Sequence, residues 1–178
     1  VSGHVVTTTI EHPAVLSASA RHDCTLVEVD KNGRVNPDDI KKAIRRDTTL
    51  VSVGLANSEI GTVQPLSKIS NVIEEELADR LNQGDKTPLY LHSDASQGAG
   101  QLDLHVTRLG VDLLTLNAAK IYGPKQVGLL YAGRSVKLHP QIVGGGQESG
   151  LRSGTENVAG VIGMARALSI ADKKRNKE

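Results

Sequence analysis

The sequence predicts an α/β three-layer sandwich, in which helices cover both faces of a mostly parallel β-sheet. The main observation is that apolar, β-branched runs alternate with helical segments almost from end to end, as in strands joined by helical crossovers. A second is that 38% of the 178 residues are apolar, which is enough to bury a core in one domain. Aromatic residues make up only 2% of the chain, so this core is expected to be aliphatic.

Six short runs rich in apolar and β-branched residues predict the strands. They span residues 4–10, 25–29, 48–55, 89–93, 111–116 and 127–131. Four further segments predict helices, at residues 14–20, 37–44, 65–81 and 157–171. The second helix has the clearest start, because Asn36 can cap it, Pro37 occupies its first position and two acids follow. Residues 173–178 are expected to form a solvated tail.

Charge and cysteine content exclude several classes of protein. The chain has 21 basic and 20 acidic side chains, a net charge of +1, so its charge favours neither nucleic acid nor a membrane as partner. Cys24 is the only cysteine, which excludes a disulfide framework and favours a reducing compartment, the cytoplasm. The six histidines lack the spacing of metal ligands, so no metal site is expected. No apolar stretch approaches the ~20 residues that cross a bilayer.

Polar side chains that could carry chemistry follow four of the predicted strands. In chain order they are His12, Asn57, Ser58, Asp94, Gln97 and Lys120. The carboxyl ends of parallel strands meet at one edge of a sheet, which is where sites form in such folds. We therefore expect these side chains to share one site.

Two common kinds of site find no support in the sequence. The run Gly98-Ala99-Gly100 lacks the third glycine of a dinucleotide-binding loop, and no Walker-type motif is present. The Gly-x-Ser-x-Gly motif of serine hydrolases is also absent. What remains is lysine chemistry, in which Lys120 forms a Schiff base and Asp94 faces a cationic partner.

Five stretches match one known family, in its own order and with similar spacing, and they cover nearly the whole chain. They are TIEH (9–12), ANSEIGTVQP (56–65), HSDASQ (92–97), KIYGPK (120–125), and GGGQE (144–148) with RSGT (152–155). On these motifs the sequence resembles the class V aminotransferase family of fold-type I pyridoxal-phosphate enzymes. Within that family it is most similar to the cysteine desulfurases and selenocysteine lyases. One motif alone is weak evidence, but five in order are specific.

The resemblance implies a role for each of four residues. Lys120 corresponds to the lysine that forms the Schiff base with the cofactor and later moves the Cα proton of the substrate. Asp94 corresponds to the carboxylate that keeps the pyridine nitrogen protonated. His12 corresponds to the histidine that stacks on the cofactor ring and serves in proton transfer. Gln97 corresponds to the residue that hydrogen-bonds the phenolate oxygen.

The resemblance also implies phosphate contacts, and here the sequence departs from the family pattern. The family commonly has Ser-x-His before the lysine, where this chain has Asn117, Ala118 and Ala119. Asn117 can still donate a hydrogen bond, but Ala119 cannot, and losing one such bond weakens binding about ten- to a hundredfold. Ser58 stands where the family has an asparagine that touches the cofactor. Thr155 resembles a residue that reaches the phosphate of the partner subunit in a homodimer; capping of the last helix is its alternative role.

The resemblance further implies that residues 1–178 are the central part of a fold-type I large domain, a single pyridoxal-phosphate-binding unit. The N-terminal phosphate loop of the family is expected before Val1, which is not a methionine, and its small domain after Glu178. Cys24 does not match the persulfide-forming cysteine of the family. Residues 1–178 alone are therefore expected to bind pyridoxal 5'-phosphate without desulfurating cysteine.

For the intact protein the resemblance implies a cysteine desulfurase, which converts L-cysteine to L-alanine and leaves an enzyme persulfide. The sulfur then passes to acceptor proteins, for iron–sulfur cluster assembly or other sulfur transfer. Three alternatives stay open: a selenocysteine lyase, another class V enzyme without persulfide chemistry, and a non-catalytic truncated scaffold. Asn117 and Ala119 favour the scaffold, whereas Asp94, Gln97 and Lys120 favour an enzyme.

Overall fold

The computed structural model describes residues 3–175, which are built around a six-stranded sheet. The strands of this part of the chain are β1 (His4–Thr8), β2 (Cys24–Val27), β3 (Thr48–Ser52), β4 (Ala56–Asn57), β5 (Thr62–Val63), β6 (Tyr90–Asp94), β7 (Leu113–Asn117) and β8 (Gly128–Ala132). The sheet has the order β2-β1-β3-β6-β7-β8, while β4 and β5 form a separate hairpin. Every pairing in the sheet is parallel except that of β7 with β8.

In the described part of the chain, four helices lie between strands and a fifth follows the last strand. They are α1 (Pro13–Ser19), α2 (Pro37–Ala43), α3 (Leu66–Asn82), α4 (Val106–Leu109) and α5 (Val158–Arg175), with short 3₁₀ helices at Ala118–Ile121 and Glu148–Gly150. In the sheet, β2 lies on one side of β1 and β3 lies on the other, so the connection from β1 to β2 and the connection from β2 to β3 run in opposite directions. Because such crossovers are right-handed, α1 and α2 lie on opposite faces of the sheet. The predicted α/β class with a mostly parallel sheet is confirmed.

The core lies against one face of the sheet and includes side chains of α2, α3 and α5. Val6, Val51 and Leu91 are neighbours in register across β1, β3 and β6, and each is fully buried. Ile40 of α2 and Ile69 of α3 belong to the same buried cluster. Each such side chain contributes about 1.5–3 kcal/mol by leaving water. The core is aliphatic, as the composition predicts.

Arg80, near the end of α3, is a buried cation at the edge of the sheet away from the strands' carboxyl ends. Its guanidinium donates to the carbonyl oxygens of Arg45 (2.9 Å), Thr48 (2.9 Å) and Thr87 (3.3 Å). Its Nε donates to Glu76 at 2.8 Å. One side chain thus ties α3 to the segments that lead into β3 and β6.

The structure corrects several predicted boundaries. β1 and β3 end two and three residues before residues 10 and 55, although Val53 and Leu55 still donate backbone hydrogen bonds to β6. α5 begins at Val158 and runs to Arg175, so residues 173–175, predicted as a tail, form its last turn. Residues 176–178 lie outside the described residues. The hairpin, α4 and the 3₁₀ helices were not predicted.

Candidate active site

A cavity of about 820 Å³ lies at the carboxyl ends of β1, β3, β6 and β7, where the sequence predicts a site. The amino end of the antiparallel strand β8 reaches the same edge of the sheet. Six of the seven predicted site residues line this cavity: His12, Ser58, Asp94, Gln97, Asn117 and Lys120. The parallel sheet therefore brings together side chains that are distant in sequence.

Lys120 lies in the 3₁₀ helix that follows β7. Asn117 caps this helix, because its Oδ1 accepts the N–H of Ala119 at 3.0 Å. Tyr122 ends it with a left-handed φ of 59°, and Gly123 donates back to the helix. The Lys120 side chain is exposed, and its amine has no hydrogen-bond or ion-pair partner within residues 3–175. Because no hydrogen bond or ion pair in the described part of the chain occupies the amine, it is available for reaction.

Asp94 is the last residue of β6 and lies opposite Thr115 of β7 in the sheet register. Its Oδ1 accepts the N–H of Ser96 at 2.9 Å. Its backbone carbonyl accepts the N–H of Leu55 at 2.9 Å, which joins the ends of β6 and β3. The Oδ2 atom has no hydrogen-bond partner in the part of the chain that the structure describes. It can therefore accept a charge-assisted hydrogen bond from a bound cation.

His12 lies on the opposite side of the site, at the start of α1. Its Nδ1 accepts the N–H of Ala14 at 3.2 Å, and Pro13 occupies the first helical position. Because Nδ1 is an acceptor, the neutral ring carries its proton on Nε2. His12 thus offers an N–H donor to the cavity.

The other predicted residues contribute polar groups of different kinds. The side chains of Gln97 and Ser58 have no hydrogen-bond partner among the described residues. Asn57 has a structural role, because its Nδ2 donates to the carbonyl of Ile10 at 3.1 Å and its Oδ1 accepts the N–H groups of Glu59 and Ile60. Asn117 uses Oδ1 for its cap, which leaves its amide N–H groups as donors.

Two residues discussed from the sequence lie away from the cavity. Thr155 is exposed, and it does not cap α5, since Asn157 accepts the N–H of Gly160 at 3.0 Å. Its contact with a partner subunit stays a prediction. Cys24 is the first residue of β2 and therefore lies at the amino end of that strand, whereas the cavity lies at the carboxyl ends of the strands. Burial, with a contribution from Asp23, raises the pKa of the Cys24 thiol, which makes it a poor nucleophile.

Sequence reasoning missed three residues that line the cavity: Glu11, Thr115 and Gln126. Glu11 is buried beside His12. Gln126 has a φ of 63°, a left-handed conformation that side-chain-bearing residues rarely adopt. A carboxylate next to a candidate histidine was a signal for Glu11, but no motif marked the other two.

A hydrogen-bonded row of side chains supports the cavity floor. His92 of β6 lies between Ser52 of β3 and Thr115 of β7, with its Nδ1 2.8 Å from Ser52 Oγ and its Nε2 2.8 Å from Thr115 Oγ1. Burial lowers the pKa of His92, although Asp94 opposes this effect. The folded protein therefore favours the neutral ring.

Because the pKa of His92 is lowered in the folded protein, we expect the protein to lose stability in mild acid. Unfolding lets His92 take up a proton below about pH 6.5, so its stabilising effect is complete above that pH and falls as the pH decreases. The slope due to one histidine is at most about 1.36 kcal/mol per pH unit. Urea unfolding between pH 7.5 and 5.5 measures it.

The control is the same titration on His92→Gln. Buried His4 has a lowered pKa and acts in the same direction, whereas the raised pKa values of Glu11 and Asp112 act in the opposite direction. All of these groups remain in the variant, so the difference between the two curves isolates His92. Equal slopes for the two proteins would contradict the prediction.

Within residues 3–175, no three or more His, Cys, Asp or Glu side chains are grouped so that they could hold a metal ion. No helix in the same stretch has the length and hydropathy of a membrane span.

The cavity at the carboxyl ends of this mostly parallel sheet is lined by a carboxylate, a histidine and a lysine that has no partner among the described residues, and these features define an enzyme-like α/β domain. The chain belongs to the class V aminotransferase family, whose model, described as "Aminotransferase class-V", matches residues 2–178.

Curated relatives are similar over nearly the whole chain. "Cysteine desulfurase IscS" of Dictyoglomus turgidum is 43% identical over 180 residues, which cover 98% of this chain and 43% of the relative. "Cysteine desulfurase, mitochondrial" of Candida maltosa is 43% identical over 175 residues, which cover 94% of this chain and 34% of the relative. The chain thus spans less than half the length of these relatives.

Solved structures of similar sequence also have a similar fold. A "NifS-like protein" superposes with a TM-score of 0.87 at 36% identity, covering 99% of this chain and 47% of that one. "SspA in complex with cysteine" superposes with a TM-score of 0.83 at 35% identity, covering 94% of this chain and 47% of that one.

Proposed function

We propose that the intact protein is a pyridoxal 5'-phosphate-dependent cysteine desulfurase, which takes sulfur from L-cysteine and leaves L-alanine and an enzyme persulfide. The observation that carries this proposal is the meeting of Lys120, Asp94 and His12 at one cavity. Relatives about 40% identical carry the name cysteine desulfurase, which supports the reaction class. Since the chain spans only part of their length, the activity of the whole protein is a proposal.

The residues of the cavity fit this cofactor. The volume of about 820 Å³ lies in the range of about 300–1,000 Å³ usual for small-molecule sites. When bound, the cofactor supplies an aldehyde that reacts with amines and a protonated ring that withdraws electrons from the bonds of the amino acid. Lys120 would hold the aldehyde end, Asp94 the ring nitrogen, and His12 would stack on the ring.

The proposed chemistry would use side-chain atoms that have no hydrogen-bond partner within residues 3–175. The Lys120 amine would take the Cα proton of L-cysteine and later return it. Asp94 would stabilise a positive charge on the ring nitrogen through a charge-assisted hydrogen bond. His12 presents Nε2–H, because Nδ1 is occupied by Ala14, so it would first act as a hydrogen-bond donor. Cys24 lies away from the cavity, and the proposal assigns the persulfide to a cysteine elsewhere in the parent protein.

The remaining polar residues would orient the cofactor. The Gln97 amide would donate to the phenolate oxygen, and Ser58 would contact the cofactor near it. The Asn117 amide would donate to the phosphate, whereas Ala119 supplies no side-chain donor. Phosphate binding is therefore expected to be about ten- to a hundredfold weaker than with a histidine at that position.

The proposal extends to partners and compartment. Several apolar side chains are largely exposed, among them Val143 (78% exposed), Val158 (62%) and Ile162 (63%), and these side chains could be buried in a homodimer. Thr155 lies close to Val158 in sequence and would reach the partner's phosphate. Transfer of a persulfide needs reduced thiols, so we assign the protein to the cytoplasm, where it would pass sulfur to acceptor proteins for iron–sulfur cluster assembly.

The test is the absorption spectrum of the purified protein with pyridoxal 5'-phosphate, compared with that of Lys120→Ala. We expect the wild type to show a yellow band and, after borohydride reduction, a covalent adduct on Lys120. The variant is expected to lose both, since it has no amine at that position. Lys125→Ala is the matched control, because Lys125 is exposed nearby but does not line the cavity.

Four outcomes test the proposal and its alternatives. A band absent from the wild type overturns the proposal and favours the scaffold. A band that survives in Lys120→Ala shows that the wrong lysine was assigned. With the parent protein, faster turnover of L-selenocysteine than of L-cysteine identifies a selenocysteine lyase, and a monomer in sedimentation overturns the homodimer.

A further inference from the structure

Glu11 is a buried carboxylate on the cavity wall to which the proposed chemistry gives no part. It is only 8% exposed and lies between the end of β1 and His12. Burying a carboxylate is costly unless hydrogen bonds compensate for the lost water. The bonds that Glu11 accepts therefore indicate what it holds in place.

Glu11 joins the loop after β1 to the end of β3. Thr8 Oγ1–H donates to its Oε1 at 2.6 Å, and the N–H of Gly54 donates to both carboxylate oxygens at 3.0 Å. A Cβ on residue 54 would lie 3.1 Å from Oε2, tighter than most such contacts. Gly54 thus leaves the space that the carboxylate fills.

One further bond anchors the same loop, and another joins the end of β3 to the end of β6. Asn57 Nδ2–H donates to the carbonyl of Ile10 at 3.1 Å, just before Glu11. Gly54 is followed by Leu55, whose N–H donates to the carbonyl of Asp94. Glu11 is therefore connected through two residues of backbone to the main chain of Asp94, whose carboxylate is proposed to hold the cofactor ring.

We propose that Glu11 is a positioning residue, whose carboxylate fixes the loop from β1 to α1 so that His12 faces the cavity with Nε2–H as donor. The inference deepens the proposed function and rests on it for the cofactor. Charge supports the geometry. Burial raises the pKa of Glu11, the bonds from Thr8 and Gly54 oppose that rise, and Asp94 adds to it. The two donors thus favour the ionised form that accepts from both.

The test compares Glu11→Ala, Glu11→Gln and Thr8→Val by ¹⁵N spectra of the His12 ring and by affinity for pyridoxal 5'-phosphate. Wild type is expected to show one His12 tautomer, protonated at Nε2, and Glu11→Ala a mixture of both. The affinity of Glu11→Ala is expected to fall about two- to tenfold, since ring stacking is worth about 0.5–1.5 kcal/mol. Glu11→Gln and Thr8→Val, which each keep part of the bonding, are expected to lie between.

Glu28→Gln is the matched control, because Glu28 accepts a hydrogen bond from Thr9 at 3.2 Å but does not line the cavity. It is expected to match wild type in both measurements. The inference is overturned if folded Glu11 variants keep the single tautomer and the wild-type affinity. Should Glu11→Ala not fold, as judged by circular dichroism, Glu11→Gln and Thr8→Val decide. A wild type that binds no cofactor overturns the proposed function, while the histidine spectra still decide on Glu11.

Discussion

Replacing Arg80 by methionine is expected to lower the free energy of unfolding by about 3–5 kcal/mol, since each buried acceptor left without a partner costs about 1–3 kcal/mol. Arg80 is only 4% exposed, and methionine fills similar space without donors. The change leaves the carbonyls of Arg45, Thr48 and Thr87 without their guanidinium donor, and Glu76 without its cation. Urea unfolding followed by circular dichroism measures the loss.

Lys41→Met provides the comparison for this prediction. Lys41 also forms an ion pair, with Glu75 at 2.7 Å, but both side chains are half exposed or more. Water screens such pairs, so this variant is expected to change stability far less than Arg80→Met. If the two variants unfold at the same urea concentration, the buried guanidinium is not the anchor described above.

Replacing Asp94 by asparagine is expected to lower kcat of the parent protein with L-cysteine about 10²–10³-fold, the scale for losing one electrostatic stabiliser of a transition state. Asparagine keeps an Oδ1 that can accept the N–H of Ser96, so the turn after β6 is retained. It lacks the negative charge that holds a protonated ring nitrogen. Steady-state kinetics and the spectrum of the bound cofactor measure the effect.

Asp85→Asn is the control for the Asp94 variant. Asp85 makes the same local contact, because its Oδ1 accepts an N–H two residues later, from Thr87 at 2.8 Å. It does not line the cavity, so the control is expected to keep wild-type kcat. A kcat for Asp94→Asn within threefold of wild type would remove this carboxylate from the proposed site.

Most of the fold could be predicted because its strands and long helices have periodic apolar patterns. Asn36, Pro37 and the acids after them mark the start of α2, and α2 begins at Pro37. The hairpin of β4 and β5 has strands of two residues, and α4 has four, which is too short for any period to show. Strand ends were misplaced where Val53 and Leu55 keep bonding to β6 after β3 has ended.

The part of the site that lies at the carboxyl ends of the parallel strands could be predicted from the sequence. His12, Asp94 and Lys120 each follow a strand that ends at the cavity, and the order of motifs then suggested their roles. Gln126 could not be found in this way, because it precedes the antiparallel strand β8, which brings its amino end to the site. Glu11 went unnoticed because its hydrogen bonds depend on Gly54, far along the chain.

The position of the Arg80 anchor has a consequence for how this protein can change. It binds segments that lead into β3 and β6, whereas the reactive groups follow the opposite ends of the strands. Substitutions around the guanidinium can therefore tune resistance to heat or denaturant while reactivity is conserved. Changes at the other rim can redirect reactivity without unravelling the domain. Variants near Arg80 could be selected for stability, and variants near the cavity for new substrates, in separate libraries. The selected substitutions could then be combined in one protein.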